Sequence, residues 1–378
     1  MSSLKRRDFL RQSAWALAAC SAGCTRGPDP ERVSEEARAL HSEALVLDLH
    51  IDTLLWTRLF GYDMARRHRV RLPANAFGRH LDLPRAEEGG LDGAVMGLVI
   101  NPDEVRDELM LPLELLARWE RGSGIEQTLA TLDLLAAAAA ENPGQLRFAL
   151  TGSELAAAVG EGAFGALAGL EGSHGIGGDL ANLALAHARG LRMLGIVHFQ
   201  ATEAAYPMTV SAFDGQGLRE FGFELLTECD RLGVVVDLAH LNAAGVADVL
   251  GVMRRPFVVS HTACHALCDN PRNLRDAELR RIADAGGVVG IAFGRSFLGR
   301  AGVDGLLDHV EHALRVAGEE AVALGSDYDG FIVPAKGMGD VRAYPLITQG
   351  MLERGWSRET IEKLLGRNVL RVLVEVTG

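Results

Sequence analysis

The sequence predicts an α/β protein built as a TIM-type (β/α)8 barrel, and two observations carry that prediction. Eight short apolar runs, at 45–50, 93–100, 166–171, 194–198, 233–238, 256–260, 287–293 and 321–326, alternate with helical patterns at 79–89, 124–141, 180–189, 217–232, 242–253, 275–285 and 303–317. Apolar strands alternating with helices form a parallel sheet, and eight of them close into a ring. Six of these runs also end in imidazoles or carboxylates. A side chain at the carboxyl end of a parallel strand points into the mouth of the sheet, where α/β enzymes build their sites. A doubly wound open sheet is the competing architecture.

Taken in order, LVLDLHID delivers His50 and Asp52, two residues apart, so both can face the mouth as the strand ends. GALAGLEG ends on Glu171, MLGIVH on His198, GVVVDLAH on His240, PFVVSH on His261 and VALGSDYDG on Asp327. The second and seventh runs, 93–100 and 287–293, supply nothing comparable. Among the helices, LREFGFELLTECDRLG has apolar residues at helical spacing and stops at Gly233, a C-cap signal. LNAAGVADVLGVMRR stops before Pro256, because the residue before proline disfavours helix. The segment 101–145 reads as an excursion that could cover the mouth, and its alanines 136–140 are good helix formers.

Residues 1–30 stand apart from the barrel domain, 31–378. They carry a basic start, the twin arginines Arg6 and Arg7, and an apolar stretch shorter than the ~20 residues a bilayer span needs. This is the pattern of a signal for export of a folded protein. Leu17-Ala18-Ala19-Cys20 resembles a bacterial lipoprotein cleavage box, with Cys20 the lipidated residue and Cys24 a poorer second candidate. The expected location is therefore the bacterial envelope, periplasmic or lipid-anchored, with membrane contact only through that lipid. A hydrophobic content of 48% suffices for one large core, and a net charge of −12 argues against a nucleic-acid partner. Beyond the signal, Cys229, Cys264 and Cys268 are too few for a disulfide framework. A Cys264–Cys268 bridge is conceivable from one-turn spacing, but buried thiols are the favoured reading.

Neutral imidazole nitrogens and carboxylate oxygens are natural ligands for a divalent ion. A lone His on an apolar strand is most often a satisfied core residue, whereas Asp and Glu are rarely buried unless paired, so Glu171 and Asp327 weigh more heavily. The seven groups His50, Asp52, Glu171, His198, His240, His261 and Asp327 are too many for one tetrahedral zinc. They suit two metals ~3.5–4 Å apart that share a carboxylate, a barrel of the metal-dependent hydrolase kind. His41, His68, His80, His187, His265, His309 and His312 lie in helical or loop contexts and are read as structural, while His174 in GLEGSHG is left open.

At these residues the chain resembles the membrane (renal) dipeptidase family of binuclear zinc peptidases. The matching pieces are DLHIDT (48–53), LEGSHG (170–175), VHF (197–199), VDLAH (236–240), VVSHTACHALCDNPRNL (258–274), LGSDYDG (324–330) and GRNVLRVL (366–373). The resemblance implies a (β/α)8 barrel that cleaves dipeptides, often tolerating a D-residue at the C-terminal position; pairing as a homodimer is left open by the sequence. It implies that His50 and Asp52 bind one zinc, His240 and His261 the other, and that Glu171 bridges both. It further implies that His198 steadies the substrate carbonyl, Arg272 holds the terminal carboxylate, and Asp327 shuttles the proton. Arg suits that role because its planar fork pairs a carboxylate bidentately. The chain departs from the family after His198, where HFQATEAAYP lacks the Asn that relatives often carry. That departure touches the substrate pocket and leaves the ligand set intact.

The expected reaction is attack on a dipeptide carbonyl by a metal-bridging hydroxide. Arg272 acts as a ruler for a carboxylate one residue beyond the scissile bond. Two alternatives remain at this stage: an amidohydrolase acting on N-acyl amino acids or lactones with the same metals, and a lipoprotein that binds metal or solutes without catalysis.

Overall fold

In the computed structural model, which describes residues 32–68, 78–103, 121–300 and 302–378, nine strands form one sheet. In chain order they are β1 (Leu47–Ile51), β2 (Gly93–Leu98), β3 (Leu146–Phe148), β4 (Phe164–Leu170), β5 (Leu191–Gly195), β6 (Val235–Asp237), β7 (Val258–Thr262), β8 (Val288–Ile291) and β9 (Val322–Leu324). All of them except β3 make the barrel wall, each pairing in parallel with the next. The ring closes where Asp52 N–H donates to Tyr328 O at 2.8 Å and Asp327 N–H donates to His50 O at 3.1 Å. Closure therefore uses the backbone of the same two segments that carry His50, Asp52 and Asp327. The short β3 pairs with Phe164–Ala166 of β4, below the point at Ala168 where β5 joins that strand.

The eight expected strands are all present, with shifted ends. The run 194–198 overshoots: β5 stops at Gly195, and Ile196 and Val197 are buried without a ladder, because apolarity reports burial and not pairing. All seven expected helices form, most clearly Gly124–Glu141, where Ser123 and Glu126 make a reciprocal capping box. Helix Glu220–Leu232 ends on Gly233 with φ 73°, the left-handed cap expected from sequence. The helices Glu35–Glu43, Thr53–Phe60, Gly152–Gly160 and Tyr344–Glu353 were not anticipated. Of the excursion at 101–145, residues 104–120 lie outside the described residues, as does the signal segment with Cys20 and Cys24. Among the described residues no helix is long and apolar enough to cross a membrane.

The wall has two apolar layers. Its outer face (Ala94, Met96, Ala166, Ala168, Val236, Val259, Val289, Leu324) packs beneath the surrounding helices. Its inner face contributes Leu47, Leu49, Val95, Leu167, Met193, Val235, Val258, Val288 and Ala323 to a second cluster, completed by Val369, Val372, Leu373 and Val376 of the helix Asn368–Thr377. That helix seals the barrel floor at the amino ends of the strands. The GRNVLRVL motif explains how it gets there. A side chain at Gly366 would place its Cβ 2.4 Å from Leu45 O, so only glycine allows the approach. Asn368 Nδ2 donates to Glu319 O at 2.6 Å and Val322 O at 2.8 Å, tying the helix to the start of β9. With the floor closed, the carboxyl ends of the strands are the face left for a site.

Candidate metal centre

At that face the seven groups expected from sequence converge. His50 Nε2 lies 3.2 Å from Asp52 Oδ1 and 3.7 Å from Glu171 Oε1. Glu171 Oε1 is also 3.0 Å from His240 Nε2 and 3.5 Å from His261 Nε2, while Glu171 Oε2 is 3.5 Å from His198 Nε2. Three overlapping donor groups result: His50, Asp52 and Glu171; Glu171, His240 and His261; and His50, His261 and Asp327. Glu171 is common to the first two, the position a bridging carboxylate requires.

Local backbone devices aim these side chains. Pairing register shifts between Asp48 and Ile51 in β1 and again between Val259 and Thr262 in β7. Leu47 and Leu49 face the barrel interior, yet His50 and Asp52 one residue out of phase face the mouth. An irregularity of this kind re-aims a side chain, and both occur beside a histidine of the centre. Asp52 begins the helix Thr53–Phe60 without capping it, its carboxylate turned to the cluster instead. His240 (φ 69°) and Asp327 (φ 62°) hold left-handed backbone that costs non-glycine residues ~1–3 kcal/mol, strain that collects at functional sites. β2 offers no donor to the site but supplies space: a Cβ at Gly97 would sit 2.0 Å from Asp52 Oδ1.

The donor set could hold metal ions. His240 Nε2 and His261 Nε2 face each other at 3.0 Å with Glu171 Oε1 between them, and the buried His50 Nε2 and Asp52 Oδ1 have no hydrogen-bond partner. Burial, then the neighbouring Asp52 charge, pushes Glu171 well above the ordinary carboxylate range and Asp327 up to about 8. Burial alone would depress His50, but Asp52, Glu171 and Asp327 outweigh it and hold it well above the usual imidazole value. Burial, reinforced by nearby positive groups, keeps His198, His240 and His261 well below it. Neutral imidazoles at His198, His240 and His261 beside closely spaced carboxyl groups suit a divalent-metal site.

Arg272 stands at the edge of this cluster, 8% exposed. Its loop is pinned by Thr262 Oγ1 donating to Arg272 O at 2.7 Å and Arg272 N–H donating to Asn270 Oδ1 at 2.9 Å. The guanidinium meets only Met208 Sδ at 4.0 Å and the Phe297 ring at 5.6 Å; among the described residues no carboxylate reaches it within ion-pair distance. Met208 belongs to the segment after His198 and is fixed by donating its N–H to His240 O at 2.7 Å. His198 itself lies against Phe199, ring centroids 3.9 Å apart.

Two supporting residues were missed from sequence. Asp237 Oδ1 accepts from the N–H groups of Ala239 (3.0 Å) and Ser260 (2.8 Å), and Ser260 Oγ lies 2.5 Å from Asp237 Oδ2 and 2.9 Å from His261 Nδ1. Their only signal was adjacency, Asp237 within VDLAH and Ser260 within VVSH. His174 is buried just behind the cluster, its Nε2 3.3 Å from Ile100 O, and joins none of the donor groups. His41, His80, His309 and His312 are held by partners elsewhere. Cys264 and Cys268 are free thiols, the first buried and the second half-buried.

The sequence profile of membrane dipeptidases, peptidase family M19, matches residues 34–378. A solved metallopeptidase of family M19, described as the dipeptidase AC, is 30% identical and superposes with a TM-score of 0.75, covering 89% of this chain and 99% of its own. A metallopeptidase from Rhodobacter sphaeroides, solved with a phosphinate mimic of the dipeptide L-Ala-D-Ala, is 29% identical with a TM-score of 0.74, over 88% of this chain and 99% of its own. An uncharacterized dipeptidase of Schizosaccharomyces pombe is 28% identical over 91% of this chain and 83% of its own length.

Proposed function

This chain belongs to the membrane dipeptidase family, a family of metallopeptidases, and on that footing we propose that it hydrolyses dipeptides with two zinc ions. His50 and Asp52 would hold one ion, His240 and His261 the other, and Glu171 both. When bound, the pair supplies Lewis acidity at the scissile carbonyl and a water nucleophile acidified towards neutral pH.

The protein's own groups do the rest. His198 stands 3.5 Å from Glu171 Oε2, placed to donate a hydrogen bond to the substrate carbonyl oxygen as charge develops there. Asp327 accepts the nucleophile's proton and delivers it to the leaving amine, its carboxylate lying in the same buried donor cluster as His50 and His261. Arg272 seats the substrate's free carboxylate. The single observation that carries the dipeptide reading is this buried guanidinium, which no carboxylate among the described residues reaches within ion-pair distance, since a buried charge is ordinarily paired. A ligand carboxylate supplies the missing partner, and only a substrate that ends one residue past the scissile bond reaches it.

The Rhodobacter sphaeroides relative, bound to its L-Ala-D-Ala mimic, supports including dipeptides with a C-terminal D-residue among the substrates. We further propose that residues 1–30 direct twin-arginine export to the bacterial envelope and that Cys20 is lipidated. The testing experiment is a panel of dipeptides with L- and D-residues at the C-terminal position, their C-terminal amides, and N-acyl amino acids, with metal content measured on the same preparation. Turnover of free-acid dipeptides by enzyme holding two ions per chain is expected. Turnover confined to N-acyl amino acids would replace the dipeptide reading.

A further inference from the structure

We propose that Asp237 and Ser260 form a directional relay that fixes the metal-binding tautomer of His261, an inference resting on the metal reading above. All three side chains are buried, at 3%, 0% and 1% exposure. The Ser260 hydroxyl has two neighbours, Asp237 Oδ2 at 2.5 Å and His261 Nδ1 at 2.9 Å, and one proton to give. Asp237 is the acceptor end: its Oδ1 already takes two backbone N–H groups, from Ala239 and Ser260, which lock the carboxylate's orientation. The hydroxyl therefore donates to Asp237 and must accept from His261, placing the imidazole proton on Nδ1. Nε2 is then left with its lone pair, directed at Glu171 Oε1 (3.5 Å) and His240 Nε2 (3.0 Å), where an ion would sit. A group behind a ligating imidazole that fixes tautomer and ring orientation typically changes metal affinity 10–100-fold, and here a serine hydroxyl transmits the carboxylate's influence. Asp237 and Ser260 are positioning residues, since neither reaches the substrate or the ion.

The direction of the relay makes an unusual prediction. Asp237→Asn keeps the shape and, through its Oδ1, the two backbone bonds, but it presents an N–H to Ser260. The hydroxyl then accepts from Asn, and its freed proton has His261 Nδ1 as the one acceptor in reach, which favours the tautomer with the proton on Nε2 and weakens the ligand. Ser260→Ala removes the hydroxyl without imposing either tautomer. Zinc titration of chelator-stripped full chain should show Asp237→Asn weakened for one of two ions by about 100-fold and Ser260→Ala by about 10-fold or less. The double variant Asp237→Asn/Ser260→Ala should recover to the Ser260→Ala level. Additive losses in the double variant, or Asp237→Asn binding both ions as the parent does, would overturn the relay. A parent that binds no divalent ion would instead overturn the metal reading itself. Nitrogen chemical shifts of His261 in the unsubstituted protein give a test independent of variant folding: a protonated Nδ1 is expected, and a protonated Nε2 refutes the proposal.

Discussion

Replacing Arg272 separates recognition from stability, because among the described residues no carboxylate lies within ion-pair distance of its buried guanidinium. Two unit charges 4 Å apart attract by about 4 kcal/mol at the effective dielectric typical of protein sites. Truncating one member of a buried charge pair between partners costs ~2–5 kcal/mol. The substrate carboxylate loses water on entering, so we take about 2–4 kcal/mol as the net loss, which at 1.4 kcal/mol per decade is about 30- to 700-fold in kcat/KM. Arg272→Met, close in volume, should show this loss on free-acid dipeptides and little change on their C-terminal amides, which are poor substrates already. Arg272→Lys keeps the charge but not the bidentate fork and should fall between. Stability should not fall, because no protein ion pair is broken: the nearest contacts are Met208 Sδ and the Phe297 ring. Steady-state kinetics on matched acid and amide pairs, with a thermal melt of each variant, measure both quantities. Equal losses on acids and amides, accompanied by a lowered Tm, would show that Arg272 props the site open and that the carboxylate seat lies elsewhere.

Four further predictions concern other residues. Asp327→Asn preserves size but cannot take a proton, so kcat should drop at least ~10²-fold with both metals retained by elemental analysis; unchanged turnover would move the proton role elsewhere, with His198 the next candidate. Gly97→Ala drives a methyl to 2.0 Å from Asp52 Oδ1, so metal content should fall while the circular dichroism spectrum stays that of a folded barrel. Asp92, whose Oδ2 accepts from Val46 N–H, is raised by burial from 3.8 to about 6, so its contribution to stability is full below pH 3.8 and lost as pH rises through 6; Asp92→Asn should raise Tm relative to the parent above pH 6 and not below pH 4. Arg6→Lys with Arg7→Lys should block export, and Cys20→Ala should move the protein from the membrane fraction to the soluble one.

The barrel was legible because its strands are runs of apolar residues bounded by glycine, proline and helical patterns, a signal that survives without knowledge of contacts. The first tier of the site was legible for a related reason: His and acidic residues terminate those runs, and a strand's end is a place as well as a sequence position. What stayed hidden depends on distance or direction. Arg272 sits on a loop and is marked only by a burial no spacing reveals; resemblance to the dipeptidases nominated it. Gly97 acts by lacking a side chain. Asp237 and Ser260 act through the orientation of a hydrogen bond, which no residue pattern encodes. The phase change at Asp48–Ile51 was equally invisible, since strict alternation assigns His50 and Leu49 to opposite faces of a regular strand without saying which face is inward.

The sealed floor has a consequence for how this molecule is made. Val369, Val372, Leu373 and Val376 pack against Leu47 and Leu49, so the first strand of the wall finishes its burial only when a helix more than 300 positions later docks beneath it. Contacts of that sequence separation form late in folding, since the chain-closure entropy must be overcome before they stabilise anything. A ribosome-bound chain lacking its last turns exposes the inner apolar layer to solvent from below. Nascent barrels of this kind are open-bottomed until the helix Asn368–Thr377 has been made and docked, and deletion of that helix leaves a molecule with every donor of its candidate metal centre and no base on which to hold them.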